Sequence, residues 1–197
     1  MFITTDILIT WGAISKRIKK GEFIFNEGEH AKFYYQVVKG TVRMFNTNED
    51  GKEFTNGEFT EGQSFGEPPL FIDEPYPASA VATEDSVIIR LAKDKFLKIL
   101  DEYPILQKNF ITLLSRRLYE KAITTRDIIN NNPEIRILSF LKTYKKRIHK
   151  EDELIEIPYT RQEIANFTGL RVETVIRTLM KLKQENSVQI VKHKLIC

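Results

Sequence analysis

Up to Ala92 the apolar residues of this chain come in short runs cut by glycine, and beyond it they recur at helical spacing. EFIF (22–25), YYQVV (34–38), TVRMF (41–45) and SVIIRLA (86–92) are aromatic and β-branched, which suits strands. Asp50-Gly51 and Asn56-Gly57 are turn signals, so several short antiparallel strands forming a sandwich or a roll are expected. Gly12, 21, 28, 40, 51, 57, 62 and 66 all precede the change of period, and only Gly169 follows it. From Lys93 the pattern turns helical. Pro104 can open a long helix, because its missing N–H would lack a partner there anyway. Leu106, Phe110, Leu114, Leu118, Ala122, Thr125 and Ile129 then recur every three or four residues. That stripe fits either packing on its own domain or a seam between two copies, with Arg116, Arg117, Glu120 and Arg126 on its flanks. NNNP (130–133) predicts a break and a hinge.

A second change follows in IPYTRQEIANFTGLRVETVIRTLMKLKQ (157–184). Thr160 and Glu163 stand at capping-box spacing, so a helix is expected to start at Thr160. Gly169 supplies a left-handed turn residue, and Val175, Leu179 and Leu182 make a second buried stripe. This is helix–turn–helix spacing. Arg171, Glu173, Thr174, Arg177, Thr178 and Lys181 are then the candidate DNA-contacting residues of the second helix, with Thr160, Arg161 and Gln162 at the start of the first. Such a helix fits the major groove, about 12 Å wide. A helical hairpin with a solvated basic face is the competing reading. VQIVKHKLIC (188–197) predicts two short strands about a polar turn, a wing.

Charge sharpens this division. Up to Asn132 there are 17 Lys/Arg against 19 Asp/Glu, and from Pro133 onward 13 against 8. A basic final third is the distribution expected of a DNA-binding domain joined to something else. No apolar run approaches the roughly 20 residues of a membrane span, and Asp6 interrupts what would have to be a leader, so a cytoplasmic protein that contacts no membrane is expected. The single Cys197 supplies no disulfide and no thiolate set, and no cofactor is expected. His30, His149 and His193 are scattered, which argues against a metal-dependent β-roll enzyme; none of these features suggests catalysis.

KGEFIFNEGEHAKFYYQVVKGTVRMF (20–45), FGE (65–67) and TRQEIANFTGLRVETVIRTL (160–179) together resemble the Crp/Fnr family of bacterial transcription regulators. The resemblance covers nearly the whole chain and implies an α+β protein. It comprises an N-terminal double-stranded, jelly-roll-like β-roll of the cyclic-nucleotide-binding type (1–103), a long dimerisation helix and hinge (104–132), and a C-terminal winged helix–turn–helix (133–197). It implies a homodimer on palindromic double-stranded DNA, with RNA polymerase as a partner if the protein activates, and a small-molecule effector of unknown identity. A ligand or nucleotide sensor acting through protein contacts is the alternative.

In cyclic-AMP-binding members the Glu of FGE holds the ribose, and an Arg and the residue after it hold the phosphate. Here the resemblance puts Tyr76 and Pro77 in those two positions. Tyr carries no positive charge and Pro no N–H, so cyclic-AMP dependence is not expected. Phe65, Gly66, Glu67, Tyr76 and Ser79 remain the candidate walls of an effector pocket. The family's adenine-reading hydroxyl pair falls on Lys121 and Ala122, with Thr124 and Thr125 one turn on. GLRVETV (169–175) is similar to the oxygen-responsive branch in its Val-Glu pair, but this chain lacks that branch's N-terminal cysteines.

Overall fold

The computed structural model describes residues 3–129 and 132–197. The chain divides into two compact units, one ending at Leu118 and the other starting at Tyr119. The first begins with α1 (Thr5–Thr10), β1 (Ile14–Ile18), β2 (Phe23–Phe25), β3 (Phe33–Lys39), β4 (Val42–Thr47) and β5 (Glu53–Phe59). It continues with β6 (Ser64–Phe65), α2 (Pro68–Ile72), β7 (Ser79–Ala82), β8 (Ser86–Ala92) and α3 (Lys93–Glu102). Its strands form two four-stranded sheets, β1-β8-β3-β6 and β2-β7-β4-β5, with every pairing antiparallel.

Between the two sheets lies one core, containing Ile18, Phe25, Tyr35, Val37, Val42, Phe65, Tyr76, Ala80 and Ile88. A second core covers the other face of the first sheet with helices and contains Leu8, Tyr34, Ile89, Leu91, Phe96, Ile99, Leu106 and Phe110. The strand alternation assigns neighbours to opposite cores: Tyr34 to the helical side and Tyr35 to the inter-sheet side, Ile89 to the former and Ile88 to the latter. Burial on both faces is why SVIIRLA reads as a nearly unbroken apolar run.

Two sequence expectations need correction here. Asn56-Gly57 is not a turn; it lies inside β5, where Gly57 pairs with Met44 and Thr55 with Phe45, leaving Asn56 as the extra residue. A glycine beside the extra residue of a bulge is a common place for one in a strand. Asp50-Gly51 does turn between β4 and β5, with Gly51 at φ 76°. The second correction is to the stripe on α4 (Pro104–Ile129). Leu106 and Phe110 are buried in the helical core and Leu114 is half-buried, whereas Leu118 is 72% exposed and Ile129 is exposed. The expected stripe drifts out of the packed face because a straight helix needs spacing near 3.6, and Leu113 and Arg117 continue it instead.

The second unit holds α5 (Pro133–Arg147), β9 (Glu156–Ile157), α6 (Arg161–Thr168), α7 (Val172–Gln184), β10 (Gln189–Val191) and β11 (Lys194–Ile196). Of the expected break at 130–133, Asn130 and Asn131 lie outside the described residues; Asn132 caps α5, its side chain accepting from the Glu134 N–H at 2.9 Å. The three helices close on a core of Ile137, Leu141, Ile164, Val175, Leu179, Leu182 and Leu195. The strands form one antiparallel sheet, β10-β11-β9, whose third strand the sequence did not announce. Lys192 and His193 make the tip of the wing, both at positive φ. No helix among the described residues is long and apolar enough to cross a membrane.

Candidate nucleic-acid interface and effector region

Helix α6 starts on a closed capping box: Glu163 N–H donates to the Thr160 hydroxyl at 3.2 Å, and the Thr160 N–H donates to the Glu163 carboxylate at 2.7 Å. Gly169 ends it at φ 69°, in the left-handed region that a side chain disfavours. Arg171 then precedes α7 without any side-chain cap hydrogen bond, leaving its guanidinium exposed. Val175, Leu179 and Leu182 are buried, as their spacing requires, and this fixes which side of α7 faces out.

The outward side presents Glu173 and Arg177, one helical turn apart. Among the described residues neither has an intramolecular hydrogen-bond or ion-pair partner, so both remain available to a ligand. Thr178 does not belong to this face. It is buried, because it lies between Val175 and Leu182 on the core side of the helix. Thr174 is half-buried beside it. Lys181 projects to the flank, where it pairs with Glu134 at the start of α5 and lies 3.8 Å from Glu185. The hydrogen bond that it donates to Glu134 raises the pKa of its ammonium. The Thr160 hydroxyl is occupied by its capping box, and Gln162 is exposed with its amide donating to Asn166 at 2.9 Å. Arg161 donates to the His193 carbonyl at 3.3 Å, tying the first residue of α6 to the wing, and burial lowers its pKa.

Two exposed residues of α7 escaped the sequence reading altogether. Ile176 is 48% and Met180 49% exposed, on the open side of a helix otherwise polar there. A helical wheel anchored on Val175, Leu179 and Leu182 would have found them.

In the first unit the candidate pocket residues come together, but as packed core. Tyr76 lies inward, its ring stacked on Phe25 with centroids 3.7 Å apart and planes 11° from parallel. Phe65 stacks on Tyr35 at 5.5 Å and on Phe25 at 6.1 Å, so four rings occupy the space between the sheets. The Tyr76 hydroxyl is directed to the Phe33 carbonyl at 3.4 Å. Burial, before any charge effect, pushes its ionisation well above that of a free tyrosine. Gly66, at φ 72°, has no room for a side chain: a Cβ would fall 3.0 Å from the Phe25 ring and 3.3 Å from that of Tyr76. Ser79 is half-buried, and its hydroxyl accepts from the Glu27 N–H at 3.0 Å.

Glu67 is fully buried and is held by Arg117 of α4. Arg117 Nη1 donates to both carboxylate oxygens, at 3.2 and 2.9 Å, while Nη2 donates to the Ser64 carbonyl at 2.7 Å. The guanidinium also lies 5.2 Å above the Phe59 ring. The acceptor that the resemblance assigns to a ribose is thus committed to an ion pair within the protein, one guanidinium nitrogen serving both of its oxygens. Sequence reasoning placed Arg117 only on the flank of a seam. Its position seven residues after Phe110, on the packed face, was the available signal.

A roll of two antiparallel sheets followed by a long helix and a winged helix–turn–helix with an open, charged recognition helix defines a DNA-binding regulator with a sensor-type domain. Residues 15–103 match the cyclic nucleotide-binding domain and residues 135–197 the Crp-like helix-turn-helix domain. The chain is 29% identical to the cyclic AMP receptor protein of Thermus thermophilus over 177 residues, covering 87% of this chain and 77% of that protein. It is 25% identical to the transcriptional activator protein Anr of Pseudomonas aeruginosa over 192 residues, 94% and 78% of the two chains. The structure of the c-di-GMP responsive global regulator CLP of Xanthomonas campestris shares the fold at TM-score 0.81 and 19% identity, over 97% of this chain and 98% of that one. The chain belongs to the Crp/Fnr family of transcription regulators.

Proposed function

We propose that this protein binds an inverted-repeat operator as a homodimer, reading bases with Glu173 and Arg177 of α7, and that its regulation does not depend on a cyclic nucleotide. The observation that carries the reading is the pair of unpartnered, oppositely charged side chains on the outward face of α7, held there by the buried stripe beneath. Arg pairs bidentately with guanine and Glu accepts from cytosine, so one turn of helix can read adjacent base pairs. Arg171, Arg161 and Gln162 are placed for phosphates, while Lys181 supports α5 as well as any phosphate it meets. Thr178 has no part in this surface. The division into 1–103, 104–132 and 133–197 assigns sensing, dimerisation and DNA binding in turn, and no catalytic step.

The exposed part of α4 after Phe110 supports the dimer seam. The ring-filled interior and the Glu67–Arg117 pair support independence from cyclic nucleotides, since an incoming phosphate would meet a phenol in place of a cation. Phe65, Gly66, Glu67, Tyr76 and Ser79 then transmit or stabilise and do not line a nucleotide site. An effector of other chemistry, and RNA polymerase contact if the protein activates, complete the proposal. Selection of binding sites from random duplexes tests it. Wild type should yield an inverted repeat with half-sites about 34–36 Å apart. Arg177→Ala should relax one base pair and weaken binding by about 1–3 kcal/mol. Uniform weakening without relaxed choice would refute base reading by α7.

A further inference from the structure

Helix α7 carries, besides its charged pair, an apolar surface that the core does not use. Ile176 lies next to Arg177 and one turn beyond Glu173, and Met180 lies one turn further along the same side. Both are about half exposed, in a helix whose buried stripe is already complete with Val175, Leu179 and Leu182. An open groove of about 610 Å³ runs from these two side chains to the wing, where Arg161, His193 and Lys194 line it, Lys194 paired with Glu156 at 2.9 Å. An apolar floor beside the Arg161 guanidinium, in a unit where from Pro133 onward 13 Lys/Arg face 8 Asp/Glu, suits a polyanion with an apolar feature. The major groove has one such feature, the 5-methyl group of thymine, and it is read by apolar contact.

We propose that Ile176 reads the 5-methyl group of a thymine in each half-site, beside the base pair contacted by Arg177 and Glu173. The inference rests on α7 being the base-reading helix. It adds a specificity-determining contact that hydrogen bonding cannot supply, because an isoleucine has no polar atom to distinguish bases. Met180 extends the apolar surface on the side away from the helix start, so that water is excluded from around the methyl group when the duplex docks. A protein partner on the same surface is the alternative outcome of the test.

The full-length protein is titrated by fluorescence anisotropy with the selected duplex and with duplexes in which each thymine in turn is replaced, in both half-sites, by deoxyuridine, which lacks only the methyl group. Wild type should show one position per half-site whose replacement weakens binding about 3–10-fold per half-site, the size expected for removing one buried methyl. Ile176→Ala should lose that sensitivity while keeping the guanine preference set by Arg177, and Ile176→Val should retain part of it. Because Ile176 is half exposed, both variants should melt as wild type does. Absence of any methyl-sensitive thymine overturns the proposal, as does equal sensitivity in Ile176→Ala, which would return the surface to a protein partner. Failure of the parent reading is distinguishable, since it would appear as an unchanged guanine preference in Arg177→Ala.

Discussion

Replacing Arg117 by Met should destabilise the roll far more than an ordinary loss of a surface arginine. Arg117 is itself partly exposed, but the Glu67 carboxylate it holds has no access to water. Removal leaves that carboxylate and the Ser64 carbonyl without their donors. Two charge-assisted contacts at roughly 1.5–3 kcal/mol each give a gross loss of about 3–6 kcal/mol, and stranding one partner of a buried pair costs about 3–5 kcal/mol. A domain of this size holds about 5–15 kcal/mol in all, so a third or more of its stability is at stake. Glu67→Gln removes the buried charge and leaves an arginine that can turn toward solvent, so it should cost about 1–2 kcal/mol. Urea unfolding of both single variants and of the Glu67→Gln/Arg117→Met double variant measures the coupling. The double variant should be more stable than Arg117→Met alone, because no unpaired charge remains in it. If Arg117→Met costs less than about 1 kcal/mol, or if the double variant recovers nothing, the burial argument for this pair is wrong.

Isothermal calorimetry with cyclic AMP or cyclic GMP should show no binding at micromolar concentrations, since Tyr76 offers no cation and its ring is packed on Phe25; a micromolar Kd for either nucleotide would contradict this. Leu118→Glu should give a folded monomer by light scattering, because Leu118 contributes almost nothing to its own unit's core; a dimer of unchanged mass would place the seam elsewhere. The tyrosines at 34, 35 and 76 all have their ionisation pushed upward, chiefly by burial. A raised folded pKa favours the protonated folded state, so stability should be intact below pH about 10, where free tyrosine ionises, and should fall as pH rises beyond it. Ultraviolet titration should then show part of the tyrosine absorbance appearing only with unfolding, and a single step for all tyrosines near pH 10 would disprove it.

Periodicity sufficed wherever one element buries one face against its own unit. The stripe of α7 follows from such burial, while the start of α4 at Pro104 follows from the proline's missing N–H. It failed where two demands compete. Asn56-Gly57 has the composition of a turn, yet the partner strand turns it into a bulge, which no local rule registers. The α4 stripe runs true through Phe110 and then drifts, because the spacing fitted to leucines ignored an arginine on the packed face. In the site, Glu173 and Arg177 were legible because the stripe beneath orients them. Thr178 was misplaced because residue type was allowed to outweigh helical angle: it lies between Val175 and Leu182 on the buried side of α7. The closing of the roll by Phe25 and Tyr76 was beyond the sequence: residue 25 and residue 76 are strangers until β2 and β7 pair.

That closure has a consequence for how such a roll can change its chemistry over evolutionary time. Introducing an arginine at position 76 would drive a guanidinium into an aromatic stack, at several kcal/mol for an unpaired buried charge, before any ligand could reward it. Clearing Phe25 first would open a void without conferring affinity. Neither order of substitution is favourable at the first step, so a roll filled with rings offers no gentle slope toward binding an anion in its interior. New signals should be acquired at the outer faces of the protein, where a substitution can be tried without first dismantling a core.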